Sequence, residues 1–135
     1  MELQSNIPDN FSISQNPATA TLNLGGKGFS EAKWLSKMMA DYNFLEVLNL
    51  SNNNLGPKGA KDVANMIVEN VSRGHIIKKV DISENNIGAQ GLQEFCSVLV
   101  CERDSGLVEL DIRNNNIPDQ SLKALLALVF ENQEL

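Results

Sequence analysis

The stretch Ile77-Lys-Lys-Val-Asp-Ile-Ser-Glu-Asn-Asn-Ile87 decides the fold, because its pattern recurs without gaps at Leu45-Glu-Val-Leu-Asn-Leu-Ser-Asn-Asn-Asn-Leu55 and Leu107-Val-Glu-Leu-Asp-Ile-Arg-Asn-Asn-Asn-Ile117. Each copy reads LxxLxLxxNxL with an aliphatic residue at every L, and self-similarity at a fixed period is the signature of a stacked repeat. A degenerate copy precedes them at Leu22, Leu24 and Phe29, with Lys27 where the asparagine would stand. Leu48, Leu50, Val80, Ile82, Leu110 and Ile112 alternate with polar residues at period two, so each LxL is a short strand with one buried face.

Helical spacing fills the intervals. Ala60, Val63 and Ile67, then Leu92, Phe95 and Leu99, then Leu122, Leu125 and Val129 each lay an apolar stripe along one helix face. Strand, helix and strand in succession predict a parallel sheet whose crossover helices pack on one side. Leu48 and Val80 are 32 residues apart and Val80 and Leu110 are 30 apart, but Leu22 and Leu48 only 26. The first copy therefore lacks both the glycine turn and the asparagine, as a capping repeat does when it has no neighbour on its outer side. Trp34, Met38, Met39 and Tyr42 crowd its helix and are read as core and cap packing. Gly56 with Gly59, and Gly88 with Gly91, are read as the tight turns into the helices, and Pro118 and Ser121 replace them in the last copy.

The repeat resembles the leucine-rich repeats of ribonuclease inhibitor, Ran GTPase-activating protein, the pointed-end actin cappers and NOD-like receptors, over about residues 19 to 135. The resemblance implies an α/β leucine-rich-repeat solenoid, a right-handed horseshoe of about four repeats with the parallel sheet on its concave face and helices on its convex face. The repeats fall near 19–44, 45–76, 77–106 and 107–135, and residues 1–18 form an N-terminal cap segment in which Phe11 and Ile13 lie between Pro8 and Pro17. Asn53, Asn85 and Asn115 are read as a structural ladder, their amides bonding loop backbone that would otherwise go unpaired.

Composition bounds the function. The chain has 135 residues, 42% hydrophobic and 21% charged, ordinary values for a folded domain. Its formal charge of -6 argues against a nucleic-acid partner, whose affinity comes from neutralised phosphates. Arg73, His75, Lys78 and Lys79 make the densest basic patch, read as a solvated loop. Residues 1–10 have neither a basic start nor an apolar run, and no stretch approaches a membrane span, so no membrane partner and a cytoplasmic location are expected. Cys96 and Cys101, five apart in a helical pattern, are read as reduced thiols.

No catalytic constellation can be read. His75 has no nucleophile or carboxylate at fixed spacing. Gly25-Gly26-Lys27-Gly28 lacks the spacing of a phosphate loop and occupies the repeat's own turn. No cofactor and no metal are expected. The candidate site is the outward side of the strands: Asn49, Ser51, Lys79, Asp81, Ser83, Glu84, Glu109, Asp111 and Arg113. Asp81 and Asp111 should lie side by side, their repulsion relieved either by Lys79 and Arg113 or by a cation from outside.

The reading is thus a non-catalytic protein-interaction module, a subunit or regulatory piece of a larger intracellular assembly, with a partner of basic or mixed surface. A GTPase activator resembling the Ran regulator is the alternative, although four copies and the missing acidic tail weigh against it. A piece of a longer array, as in a NOD-like receptor or an actin-end capper, is a third reading. Strand 109–113 is expected to be a sheet edge covered by more chain, by a second copy through self-association, or by a partner.

Overall fold

A computed structural model describes residues 21–35, 45–101, 106–121 and 123. The expectations for residues 1–18, for Met38, Met39 and Tyr42, and for the helix of Leu122, Leu125 and Val129 lie outside these residues. The elements in chain order are β1 (Thr21–Asn23), β2 (Val47–Asn49), α1 (Gly56–Ser72), β3 (Lys79–Asp81), α2 (Gly88–Cys101), β4 (Glu109–Asp111) and a 3-10 turn (Asp119–Ser121).

All four strands are parallel, in the order β1-β2-β3-β4, giving an open α/β solenoid of stacked strand-helix units. Leu22, Leu48, Val80 and Leu110 pair in one row, flanked by the rows Thr21, Val47, Lys79, Glu109 and Asn23, Asn49, Asp81, Asp111. Each strand is three residues long, so β4 stops at Asp111 rather than running to Arg113. The asparagine turn bends the chain out of the sheet too soon for a longer ladder.

Period-two burial follows from this register. Leu22, Leu48 and Val80 point into the core with Leu24, Leu50 and Ile82, and meet Val63, Ile67, Phe95 and Leu99 of the helices. Each such side chain contributes about 1.5–3 kcal/mol relative to exposure, so the aliphatic positions of the repeat carry the stability. Trp34 is buried and meets Phe29 edge to face, ring centroids 5.0 Å apart, closing the core beneath the first strand. The last repeat is less sealed: Leu110, Ile112 and Ile117 are half-buried, whereas Val80, Ile82 and Ile87 are fully buried.

One sequence expectation needs correction. Gly56 and Gly88 do turn the chain into α1 and α2, with φ of +67° and +72°, but Gly59 and Gly91 lie within the helices. Those two are small because neighbours crowd them: a Cβ on Gly91 would stand 2.5 Å from Ile87 Cγ2 and 2.9 Å from Pro57 Cα, where α2 approaches α1. Helix α1 continues to Ser72 and ends in a Schellman motif, with His75 N–H donating to Asn70 O (2.8 Å) and Gly74 N–H to Val71 O (2.9 Å).

Candidate functional site

The outward positions of β2, β3 and β4 lie over an open depression of about 510 Å³, bordered by Asn49, Lys79, Asp81, Glu109, Asp111 and Arg113. The parallel register brings these residues together from three repeats, although register partners are 30 or 32 apart in the chain.

The asparagine-aspartate row has a backbone task that the sequence reading missed. Asn23 Oδ1 accepts from Gly25 N–H (3.1 Å), Asn49 Oδ1 from Ser51 N–H (2.8 Å), Asp81 Oδ1 from Ser83 N–H (2.9 Å) and Asp111 Oδ1 from Arg113 N–H (3.1 Å). Each is an Asx turn that holds the chain as it leaves the strand. The signal was present as an Asx residue at one repeat position, two before the residue whose N–H needs a partner.

Charges on this face are paired unevenly. Lys79 Nζ reaches Glu109 Oε1 at 3.2 Å, and Arg113 Nη2 reaches Asp111 Oδ2 at 2.8 Å with Nε donating to both carboxylate oxygens. The hydrogen bonds from Arg113 hold the Asp111 carboxyl below its ordinary range, and the two residues are in turn flanked by Asp81 and Glu84, whose charges also act on Arg113. Relief of the aspartate pair therefore comes from Arg113; Lys79 serves Glu109. Among the described residues, neither Asp81 nor Glu84 has a cation in salt-bridge contact. Ser83 is buried, and its hydroxyl donates to Asp81 Oδ1 at 2.7 Å, so it presents little to an incoming surface; Ser51 is half-buried.

Glu84 is exposed with a φ of +55°. The same repeat position holds Gly26, Asn52 and Asn114, at +67°, +53° and +58°. Glycine and asparagine tolerate this left-handed conformation, whereas glutamate is strained in it.

Asn53, Asn85 and Asn115 form the inward counterpart. The Nδ2 group of Asn85 donates to Leu50 O, Ile82 O and Ser83 O at 2.9–3.1 Å, and its Oδ1 accepts from Leu55 N–H at 3.2 Å. Asn115 donates to Ile82 O, Ile112 O and Arg113 O and accepts from Asn85 N–H and Ile87 N–H. Asn53 Oδ1 accepts from Lys27 N–H and Phe29 N–H. Within the glycine-rich loop, Gly25 N–H thus goes to Asn23, Gly26 N–H to Ser51 O at 3.0 Å and Lys27 N–H to Asn53, so these three are not turned toward a phosphate.

The basic patch is dispersed. Lys79 stands on the outward face, Arg73 and Lys78 are exposed elsewhere, and His75, read as a surface residue, is half-buried with its Nδ1 buried and without a hydrogen bond. Two polar residues of α1 gave no sequence signal: Asn70 is buried, and burial pushes the Asp62 carboxyl above its ordinary range despite a hydrogen bond from the Ala32 backbone and the nearby charges of Lys58 and Lys33. Cys96 is buried, its thiol pushed up to about 11 by desolvation. No helix of the described residues is long and apolar enough to cross a membrane.

Comparison with known families agrees with this geometry. The model described as Leucine Rich repeat matches residues 43–64, 75–96 and 107–126, one segment for each complete copy of the pattern. No curated protein matches the chain.

Proposed function

For this leucine-rich repeat protein, we propose a non-catalytic role in which the outward face of β2–β4 binds another protein, as a regulatory or structural subunit of an intracellular assembly. The observation that carries the proposal is the composition of that face: fixed polar and charged side chains from three repeats, aligned in register around one open depression. The asparagine ladder and Asx turns hold the backbone rigid, so a partner meets Asn49, Lys79, Asp81, Glu84, Glu109, Asp111 and Arg113 already in place. Preorganisation of this kind reduces the ordering cost of binding.

Asp81 and Glu84, which have no ion pair among the described residues, favour a partner that brings Lys or Arg against a surface otherwise mixed in charge. Helical crossovers and spacings of 30 and 32 residues support placing the repeat in the ribonuclease-inhibitor-like class. Three gaps between strands make a sheet about 15 Å wide. A stable interface takes about 800 Å² from each side, so the loops after the strands must share the contact.

The test is crosslinking mass spectrometry of the full chain in native extract, with Lys79 as the reporter on the face. Crosslinks from Lys79 to one partner are expected, and replacing Asp81 by asparagine and Glu84 by glutamine together should weaken that complex about tenfold, equivalent to about 1.4 kcal/mol. Unchanged affinity in the double variant would remove the face from the binding site.

A further inference from the structure

Each repeat donates backbone hydrogen bonds to the one that follows it. Leu24, Leu50 and Ile82 N–H donate to Asn49, Asp81 and Asp111 O, and Gly26, Asn52 and Glu84 N–H donate to Ser51, Ser83 and Arg113 O, all at 2.7–3.0 Å. A second set meets the next asparagine side chain: Phe29, Leu55 and Ile87 N–H donate to Oδ1 of Asn53, Asn85 and Asn115 at 3.0–3.2 Å, and Asn85 N–H also donates to Asn115 Oδ1. A last donor, Gly56 or Gly88 N–H, meets the backbone oxygen of Asn85 or Asn115.

At the outer edge of β4 the same positions are Ile112, Asn114, Asn115 and Ile117, and among the described residues their N–H groups meet no acceptor. The position of Gly56 and Gly88 is held there by Pro118, which has no N–H to donate. The edge therefore presents four donors in two pairs, one spaced for backbone carbonyls and one converging on a single side-chain oxygen. Three completed junctions inside the molecule show what fills such an arrangement.

We propose that the β4 edge is a second docking surface, and that its occupant is a leucine-rich-repeat strand of a partner protein carrying an asparagine at the ladder position. The proposal rests on the protein-binding reading above but uses a different surface. A second copy of this chain docking through its own β1 would align Lys27 with the ladder position, and lysine has no acceptor for Asn115 and Ile117 N–H. The missing donor at Pro118 further means that the incoming loop need not follow the path of Asn85 or Asn115 beyond its asparagine. Selectivity lies in the side-chain acceptor: a strand without it completes the carbonyl pair and leaves two donors stranded.

The test uses isotope-labelled full-length chain and a synthetic peptide of residues 77–88, which stands in for a partner repeat. At millimolar peptide, amide shifts and slowed hydrogen exchange are expected at Ile112, Asn114, Asn115 and Ile117. The same peptide with Asn85→Ala should bind about tenfold more weakly. A peptide of residues 21–32, with Lys27 at the ladder position, should leave Asn115 and Ile117 unperturbed. Absence of any response at the four amides, equal binding by all three peptides, or head-to-tail oligomers of the chain alone in sedimentation would overturn the proposal. Failure here leaves the outward-face reading intact, since that is tested by Lys79 crosslinks and not by these amides.

Discussion

Asp81 and Asp111 stand directly opposite each other on β3 and β4, yet each carboxylate is committed first to its own backbone, holding the N–H of Ser83 or Arg113. Their charge and their turn-forming role are therefore separable. Asn23 and Asn49 perform the same turn with a neutral amide.

Replacing Asp81 and Asp111 together by asparagine should leave the unfolding free energy within about 0.5 kcal/mol of the original in denaturant titration. Asp81→Ala, which strands Ser83 N–H and its hydroxyl, should cost about 1 kcal/mol. Charge reversal to lysine would confound the two effects, because lysine cannot accept the turn bond. Acid sensitivity separates them further: Asp111 ionises below the ordinary carboxylate range because of Arg113, so its contribution is complete above that range and is lost as pH falls through the lowered value. Asp111→Asn should remove that acid limb.

Asn85→Ala should be the most damaging substitution in the loops. It strands Leu55 N–H in a buried turn and removes the second donor from Leu50 O, Ile82 O and Ser83 O, which keep only Asn53, Asn115 and Asn52, at a cost of about 1–3 kcal/mol. Asn54→Ala, at an exposed neighbouring position, should stay within about 0.5 kcal/mol and serves as the control in the same denaturation series.

Glu84→Asn should stabilise the chain by about 0.5–1 kcal/mol, since asparagine accepts the left-handed backbone that glutamate resists. The melting temperature should rise while affinity for the partner falls. A rise in melting temperature with unchanged affinity would show that Glu84 contributes nothing to recognition.

Asp62→Asn should change how stability depends on pH. Burial raises the folded-state value above 3.8, so ionising Asp62 is costlier in the folded chain than in the unfolded one. Its contribution therefore declines as pH rises from the ordinary value through the raised one, and is flat beyond. In the asparagine variant that decline, which begins at the ordinary carboxylate range and runs upward from it, should be absent from the stability curve.

The sequence by itself determined the repeat, the strand register and the inward asparagines, because each depends on local period and on one residue type recurring at one position. Alternation placed Leu48, Val80 and Leu110 in one row, and the LxxLxLxxNxL frame then fixed which residues share the outward face. Gly91 was misread because a glycine that turns the chain and one that admits a neighbouring helix look alike until α1 and α2 are packed, and Gly59 because its closeness to Leu55 arises only once the helix has formed. The tertiary structure alone decided the pairings: Arg113 with Asp111, Lys79 with Glu109, and Ser83 folded in beneath Asp81. It also decided that Asp62 and Asn70 are shielded and that four donors line the β4 edge. Those outcomes depend on distances between side chains and on what each backbone group finds beside it, quantities that exist only once the repeats are stacked.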